Sequence, residues 1–197
     1  MDEEELMYNP QIGDIILEDS NRTAAKIVKF LMTAPTLWHH IWRKIRGTQE
    51  KVEYYHVAMM INNGFNSVTG QADTIEQQSK VKLSDWNPNV KQIIFRKTYL
   101  TKEDKEDLKQ EALSDIGRGY DILNIFGKLF SWLTGIKFFA RYIEWPKAEI
   151  CINRVVYWHK VVLGEKFGAK THSELTTHLL YKYLVNSDNY RIVYKKD

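Results

Sequence analysis

Any covalent chemistry in this chain has a single thiol to work with. Cys151 is the one cysteine among 197 residues, so it forms no disulfide within the chain and supplies no multi-thiolate metal site. It follows Trp145-Pro146-Lys-Ala-Glu-Ile and precedes Ile152 to Leu163, where Val155, Val156, Val162 and Leu163 recur at helical spacing. The proline and the polar residues after it predict a loop that hands over to a helix, with Cys151 at or near the helix amino terminus. Unpaired backbone amides and the positive end of the helix dipole favour thiolate over thiol there. A thiolate paired with an imidazole attacks carbonyl carbon, and a third polar group is needed to fix the ring.

His56 and Gln71 are the candidates for those two roles. Tyr54, Tyr55, Val57 and Met59 predict a strand over 53–61, Asn62-Asn63-Gly64 is a turn signal, and residues 65–72 are expected to return as a second, antiparallel strand. If Asn63-Gly64 is a two-residue turn, His56 lies directly opposite Gln71, with Cβ atoms about 4.5–5.5 Å apart. The Gln71 side-chain oxygen would then accept one ring proton and leave the other nitrogen for the sulfur. A change of register undoes that pairing. Each residue also has an ordinary reading: a lone cysteine as an inert buried side chain, a strand histidine half in the core, a solvated glutamine. Together they supply a nucleophile, a base and an orienter on elements that can converge. Adjacent His39 and His40 point about 100° apart on a helix, and His159, His172 and His178 have no ligand-spaced partners. No metal or cofactor is expected.

The elements that must position these groups are legible in outline. Residues 12–17 predict a buried strand and Val90 to Lys97 another. Thr101 with Asp104 forms a carboxylate capping box for a helix ending at Gly117, and Thr171-His-Ser-Glu174 forms a second box for a helix through about Leu184. Tyr190 to Tyr194 closes the chain as a strand. The apolar segment 122–143, with Phe126, Phe130, Trp132, Phe138 and Phe139, is core or the wall of a cleft. Residues 23–46 carry apolar positions at spacings of three and four, broken at Ala34-Pro35 into two helices. Their polar face holds Lys26, Lys29, Arg43, Lys44 and Arg46, a surface for packing, for protein assembly or for weak contact with an anionic membrane. With no repeat or linker, one domain over 1–197 is expected, with a helical insertion at about 21–52.

Composition narrows the classes further. Hydrophobic residues make 44% and charged residues 27% of the chain, which excludes extensive disorder. A net charge of +3, without a recognised motif, gives no ground for specific nucleic-acid binding. The acidic start Met-Asp-Glu-Glu-Glu-Leu is unlike a secretory leader, and Lys128, Ser131, Lys137 and Arg141 interrupt the most apolar stretch, so a cytoplasmic or virion-associated protein without a transmembrane helix is expected.

The order of these motifs resembles the circularly permuted NlpC-type papain-like hydrolases, the YiiX and YebB relatives, with lecithin retinol acyltransferase as a more distant cousin. The resemblance is carried by Gly13-Asp14 in the opening strand, His56-Val57-Ala58 entering an apolar strand, and Gln71-Ala72 where the family often has Glu-Ala. It continues through Gly119-Tyr120-Asp121, Cys151 at its helix start and Thr171 to Leu175. It implies an α+β, papain-like fold in which an antiparallel sheet packs against helices. Cys151 would be nucleophile, His56 general base and then acid, and Gln71 the third member. A peptide amide, or a lipid-acyl ester or thioester, would be cleaved through an acyl-enzyme. The alternative is a structural or binding module of a larger assembly such as a phage virion, with little or no turnover.

Overall fold

The computed structural model describes residues 8–19, 54, 56–77, 80–119, 151–168 and 177–197, with Ile41, Ile45, Thr134 and Leu175, the side chains of Cys151 and Asn153 excepted. Six strands form one antiparallel sheet: β1 (Ile15–Asp19), β2 (His56–Met60), β3 (Asp73–Gln77), β4 (Val81–Asp85), β5 (Lys91–Lys97) and β6 (Tyr190–Lys196), in the order β4-β3-β2-β1-β5-β6. Among the described residues, three helices accompany it: α1 (Lys102–Ser114), α2 (Cys151–Leu163) and α3 (Thr177–Asn186). This is the α+β class expected from the sequence, and the helices expected after Thr101 and at Cys151 are both present. Strand β4, unmarked in the sequence reading, lies at the edge, where charged Lys82 and Asp85 suit a half-solvated strand.

Alternation of side chains divides the sheet into two apolar layers. Ile15, Leu17, Val57, Met59, Ile75, Ile93 and Phe95 point to one face and are buried against Leu108 and Ala112 of α1, Ile152, Val155 and Trp158 of α2, and Leu180 and Leu184 of α3. The other face carries Ile16, Ala58, Met60 and Ile94, covered by Tyr8, Trp86 and Tyr194, whose rings meet at centroid separations of 5.2–5.5 Å.

Buried charges fix the layers. Asp14 accepts both Nε (2.7 Å) and a terminal nitrogen (2.7 Å) of Arg96, and the Tyr8 hydroxyl (3.0 Å), which ties the segment before β1 to β5. Gly13 next to it has φ +88°, and a Cβ there would meet Leu100 and Leu108 at 3.1 Å, so the residue must lack a side chain. Thr101 and Asp104 complete the reciprocal capping box of α1. At the other end of α1, buried Asp115 accepts Arg154 (2.8 Å) and the Trp158 indole N–H (2.9 Å) from α2.

Two contacts give the direction of α2 along the sheet. Arg154 in its first turn meets Asp115, and the adjoining Gly117 donates to the Val81 carbonyl at the start of β4, beside Gln77 at the end of β3. His159, further along, faces the Gly13 carbonyl, and Gly13 donates to the carbonyl of Met60, the last residue of β2. Helix α2 therefore runs in the sense of β2, and Cys151 begins it at the end of the sheet where His56 begins β2.

The segments predicted over 23–46 and 122–143, and the capping box at 171–174, lie outside the described residues, apart from helical Ile41, Ile45 and Thr134. Among the described residues, no helix is long and apolar enough to cross a membrane.

Replacing Asp115 by alanine leaves the guanidinium of Arg154 buried without its carboxylate, and a broken buried pair of this kind costs about 3–5 kcal/mol. Urea unfolding followed by tryptophan fluorescence checks this; a loss under about 1 kcal/mol would show that the pair does not anchor α2.

Candidate active site

His56 is the first residue of β2 and is half-buried. Its Nε2 lies 2.7 Å from Oε2 of Glu76, the side chains being 13% and 9% exposed. The strand register produces this contact. Ala58 faces Glu76 across the β2–β3 ladder, so His56, two residues earlier on the same face, is the diagonal neighbour of the carboxylate. The other Glu76 oxygen is 3.5 Å from Nζ of Lys82, its direct partner on β4. The carboxylate thus joins an imidazole on one side and an ammonium on the other.

Gln71 does not stand opposite His56, and residues 65–72 are not a strand. Asn63-Gly64 does not close a two-residue hairpin: Gly64 donates to the Pro10 carbonyl (2.7 Å), which draws the chain out against the amino-terminal segment. Asn66 then forms a side-chain turn, accepting from the amides of Val68 (2.8 Å) and Thr69 (3.3 Å), and its own amide bonds the Gln71 carbonyl (2.7 Å). Gly70 completes the loop at φ +66°, leaving Gln71 exposed. The returning strand starts only at Asp73. The acid beside His56 is therefore Glu76, which the sequence reading missed. Its signal was the run Asp73-Thr-Ile-Glu-Gln, with β-forming Thr74 and Ile75 set after a glycine turn.

Cys151 opens α2, the helix-start position that its flanking residues predicted. Helix α2 packs on β2 through the face that holds Val57 and Met59. His56 and Glu76 share the opposite face with Ala58 and Met60. The first residue of α2 and the first residue of β2 therefore lie at the same end of the sheet, with the helix on one face and His56 on the other.

His159 has a different role. It is fully buried, with Nδ1 2.8 Å from the Val155 carbonyl and Nε2 3.3 Å from the Gly13 carbonyl. Desolvation holds its pKa below the ordinary value, outweighing the two carbonyl contacts that favour a proton. Among the described residues no three of His, Cys, Asp and Glu come together as a metal site.

The fold is similar to that of the metalloprotein yiiX from Escherichia coli O157:H7. Its crystal structure matches with a TM-score of 0.56 at 18% sequence identity, over 96% of this chain and 99% of that chain. No protein-family model matches the chain, and no curated protein matches it in sequence. The likeness establishes a YiiX-type architecture.

The depressed pKa of His159 makes stability pH-dependent with a definite sign. Unfolding frees the imidazole to bind a proton near its ordinary value of 6.5, whereas the folded chain resists that proton. Stability is thus fully present above about pH 6.5 and falls as the solution is acidified toward the folded-state pKa. The urea midpoint of the native chain is expected to drop between about pH 6.5 and 4.5, above the range of the Glu165 carboxyl, which its contacts with Lys97 and Tyr183 hold below its ordinary 4.5. A His159→Gln variant should lose that slope; identical slopes would remove His159 as the cause.

Proposed function

We propose that this chain is a cysteine hydrolase or acyltransferase, acting on an amide or an acyl ester or thioester bond through a covalent acyl-enzyme. Cys151 is the nucleophile, His56 the general base and then acid, and Glu76, in place of Gln71, the group that holds the imidazole. One observation carries the reading: a buried carboxylate lies 2.7 Å from the histidine at the end of the sheet where the cysteine helix begins. It is supported by the YiiX-type fold and by the motif order shared with permuted NlpC-type hydrolases.

The steps follow from the roles. Glu76 engages Nε2, and in this reading Nδ1 takes the thiol proton. The sulfur adds to the carbonyl carbon, and the backbone N–H of Cys151 is the oxyanion donor. Collapse of the intermediate expels the amine, alcohol or thiol, which receives the proton from the imidazolium. Water, activated by the same ring, then releases the acid, or an acceptor takes the acyl group. Peptides and lipid-acyl groups are the substrate classes, and no cofactor takes part.

The metal named for yiiX has no counterpart among the described residues. His56 and Glu76 are two donors, and the ammonium of Lys82 on the same carboxylate opposes a cation. The second reading, a binding module in a larger assembly, is favoured by that same Lys82 contact, because His56, Glu76 and Lys82 also make sense as an ion-pair network alone.

Iodoacetamide labelling of Cys151 between pH 4 and 9 separates the two. A paired thiol reacts with an apparent pKa in the range of about 3.5–7.5, against about 8.5 for a free one. His56→Ala and Glu76→Gln should each move the profile upward, whereas Gln71→Ala should leave it in place. Hydrolysis of acyl thioesters should fall by about 10²–10⁴-fold in His56→Ala. Labelling only above about pH 8 in the native chain would leave the binding module as the reading.

A further inference from the structure

We propose that the segment joining β1 to β2 is a surface element that docks the protein on an anionic lipid bilayer. Residues 20–49 hold six of the chain's 28 Lys and Arg (Arg22, Lys26, Lys29, Arg43, Lys44 and Arg46) and none of its 25 Asp and Glu. A stretch of charge +6 thus sits in a chain whose net charge is only +3. Apolar residues run through the same stretch, two of the six tryptophans among them. Trp38, Ile41, Trp42 and Ile45 fall at i, i+3, i+4 and i+7, the spacing of one helical face. Cations combined with an aromatic and aliphatic stripe are the composition of a helix that lies in a bilayer interface.

The structure shows which way that stripe is turned at two of its four positions. Ile41 and Ile45 are both helical and are exposed, at 38% and 71%. Helical positions four apart share a face. A stripe packed into the protein's own core would be buried at these positions, so the ordinary reading of an amphipathic helix does not account for them. Charge selects the occupant. A second copy would bring +6 against +6 and be repelled. A nucleic acid would pair with the cations but leave the isoleucines in water, whereas the boundary between anionic headgroups and acyl chains takes both. The ends of the segment are fixed by the sheet: β1 stops at Asp19 and β2 starts at His56, with Glu18 directly opposite His56. The docking surface is therefore tethered at the end of the sheet that bears His56.

Co-sedimentation of the full chain with vesicles tests this, comparing pure phosphatidylcholine with a phosphatidylcholine–phosphatidylserine mixture. Binding is expected on the mixture alone and should weaken as salt is raised. Each basic residue near such a surface strengthens binding about fivefold, so Arg43→Gln/Lys44→Gln/Arg46→Gln should bind about 10²-fold more weakly. Ile41→Asp/Ile45→Asp should lose binding although every cation remains; both side chains are exposed, so this variant is expected to fold, which circular dichroism checks. Equal binding to both vesicles, binding to neither, or full binding by folded Ile41→Asp/Ile45→Asp overturns the proposal. Should that variant not fold, the native chain decides: lipids brominated in their acyl chains must quench part of its tryptophan fluorescence, and an unquenched signal refutes the docking.

A duplex oligonucleotide supplies the rival outcome. Binding to it that is the same in native chain and Ile41→Asp/Ile45→Asp, with no binding to vesicles, would assign the cations to nucleic acid instead. The docking stands apart from the hydrolase reading: Cys151→Ala should bind vesicles as the native chain does. A native chain that binds the anionic vesicles yet labels at Cys151 only above about pH 8 keeps the docking surface and loses the hydrolase.

Discussion

The register in which β3 returns along β2 is the constraint on which the candidate site depends. With Ala58 opposite Glu76, the carboxylate comes to His56 on a diagonal and meets Lys82 directly across the next ladder. A slip of one residue would turn Glu76 into the apolar layer beneath the helices and bring Ile75 out in its place. Two things enforce the register. Ile75 and Val57 must be buried against the helices, and the loop between the strands is held at Pro10 and Asn66 by its own hydrogen bonds. The chemistry of the site is thus set by apolar burial and loop geometry at residues that take no part in it.

Buried ion pairs orient the parts that register cannot reach. Asp14 with Arg96 ties the segment before β1 to β5, and Asp115 with Arg154 and Trp158 ties the carboxyl end of α1 to the first turns of α2. Such pairs contribute little net stability over an apolar replacement of the same shape, because desolvation offsets most of their attraction. Their strength is directional: a charge left without its partner is costly, so alternative placements of the helix are penalised. The amino terminus of α2 is held at one end of the sheet for this reason.

That placement makes the site an end-of-sheet arrangement. The histidine and Glu76 occupy the face away from α2, and the cysteine helix lies on the other, so only the first residues of β2 and α2 share a neighbourhood. In the proposed hydrolase the reacting groups would meet at the rim of the two layers. The same geometry also suits an ion-pair network that closes the sheet end, and for that reason the reactivity of the thiol, and not its position alone, distinguishes the two.

By itself the sequence determined the elements whose signals are local. The capping box at Thr101 and Asp104 satisfies its own helix end, the β-branched run before Lys97 forms β5, and the polar loop and apolar periodicity around Cys151 make a helix start there. It also singled out His56 at the head of an apolar strand, and Gly13-Asp14, whose demands for a bare backbone and a buried acid the fold explains. The partner of His56 was not legible in the same way. Asn63-Gly64 is the strongest local hairpin signal in that stretch, yet a bond from Gly64 to Pro10, far back in the chain, overrides it and lengthens the loop until Gln71 is solvated and Glu76 faces the ring. Pairing across strands is fixed by contacts between distant residues, each decided by which side chains must be buried together; only the tertiary structure makes that choice.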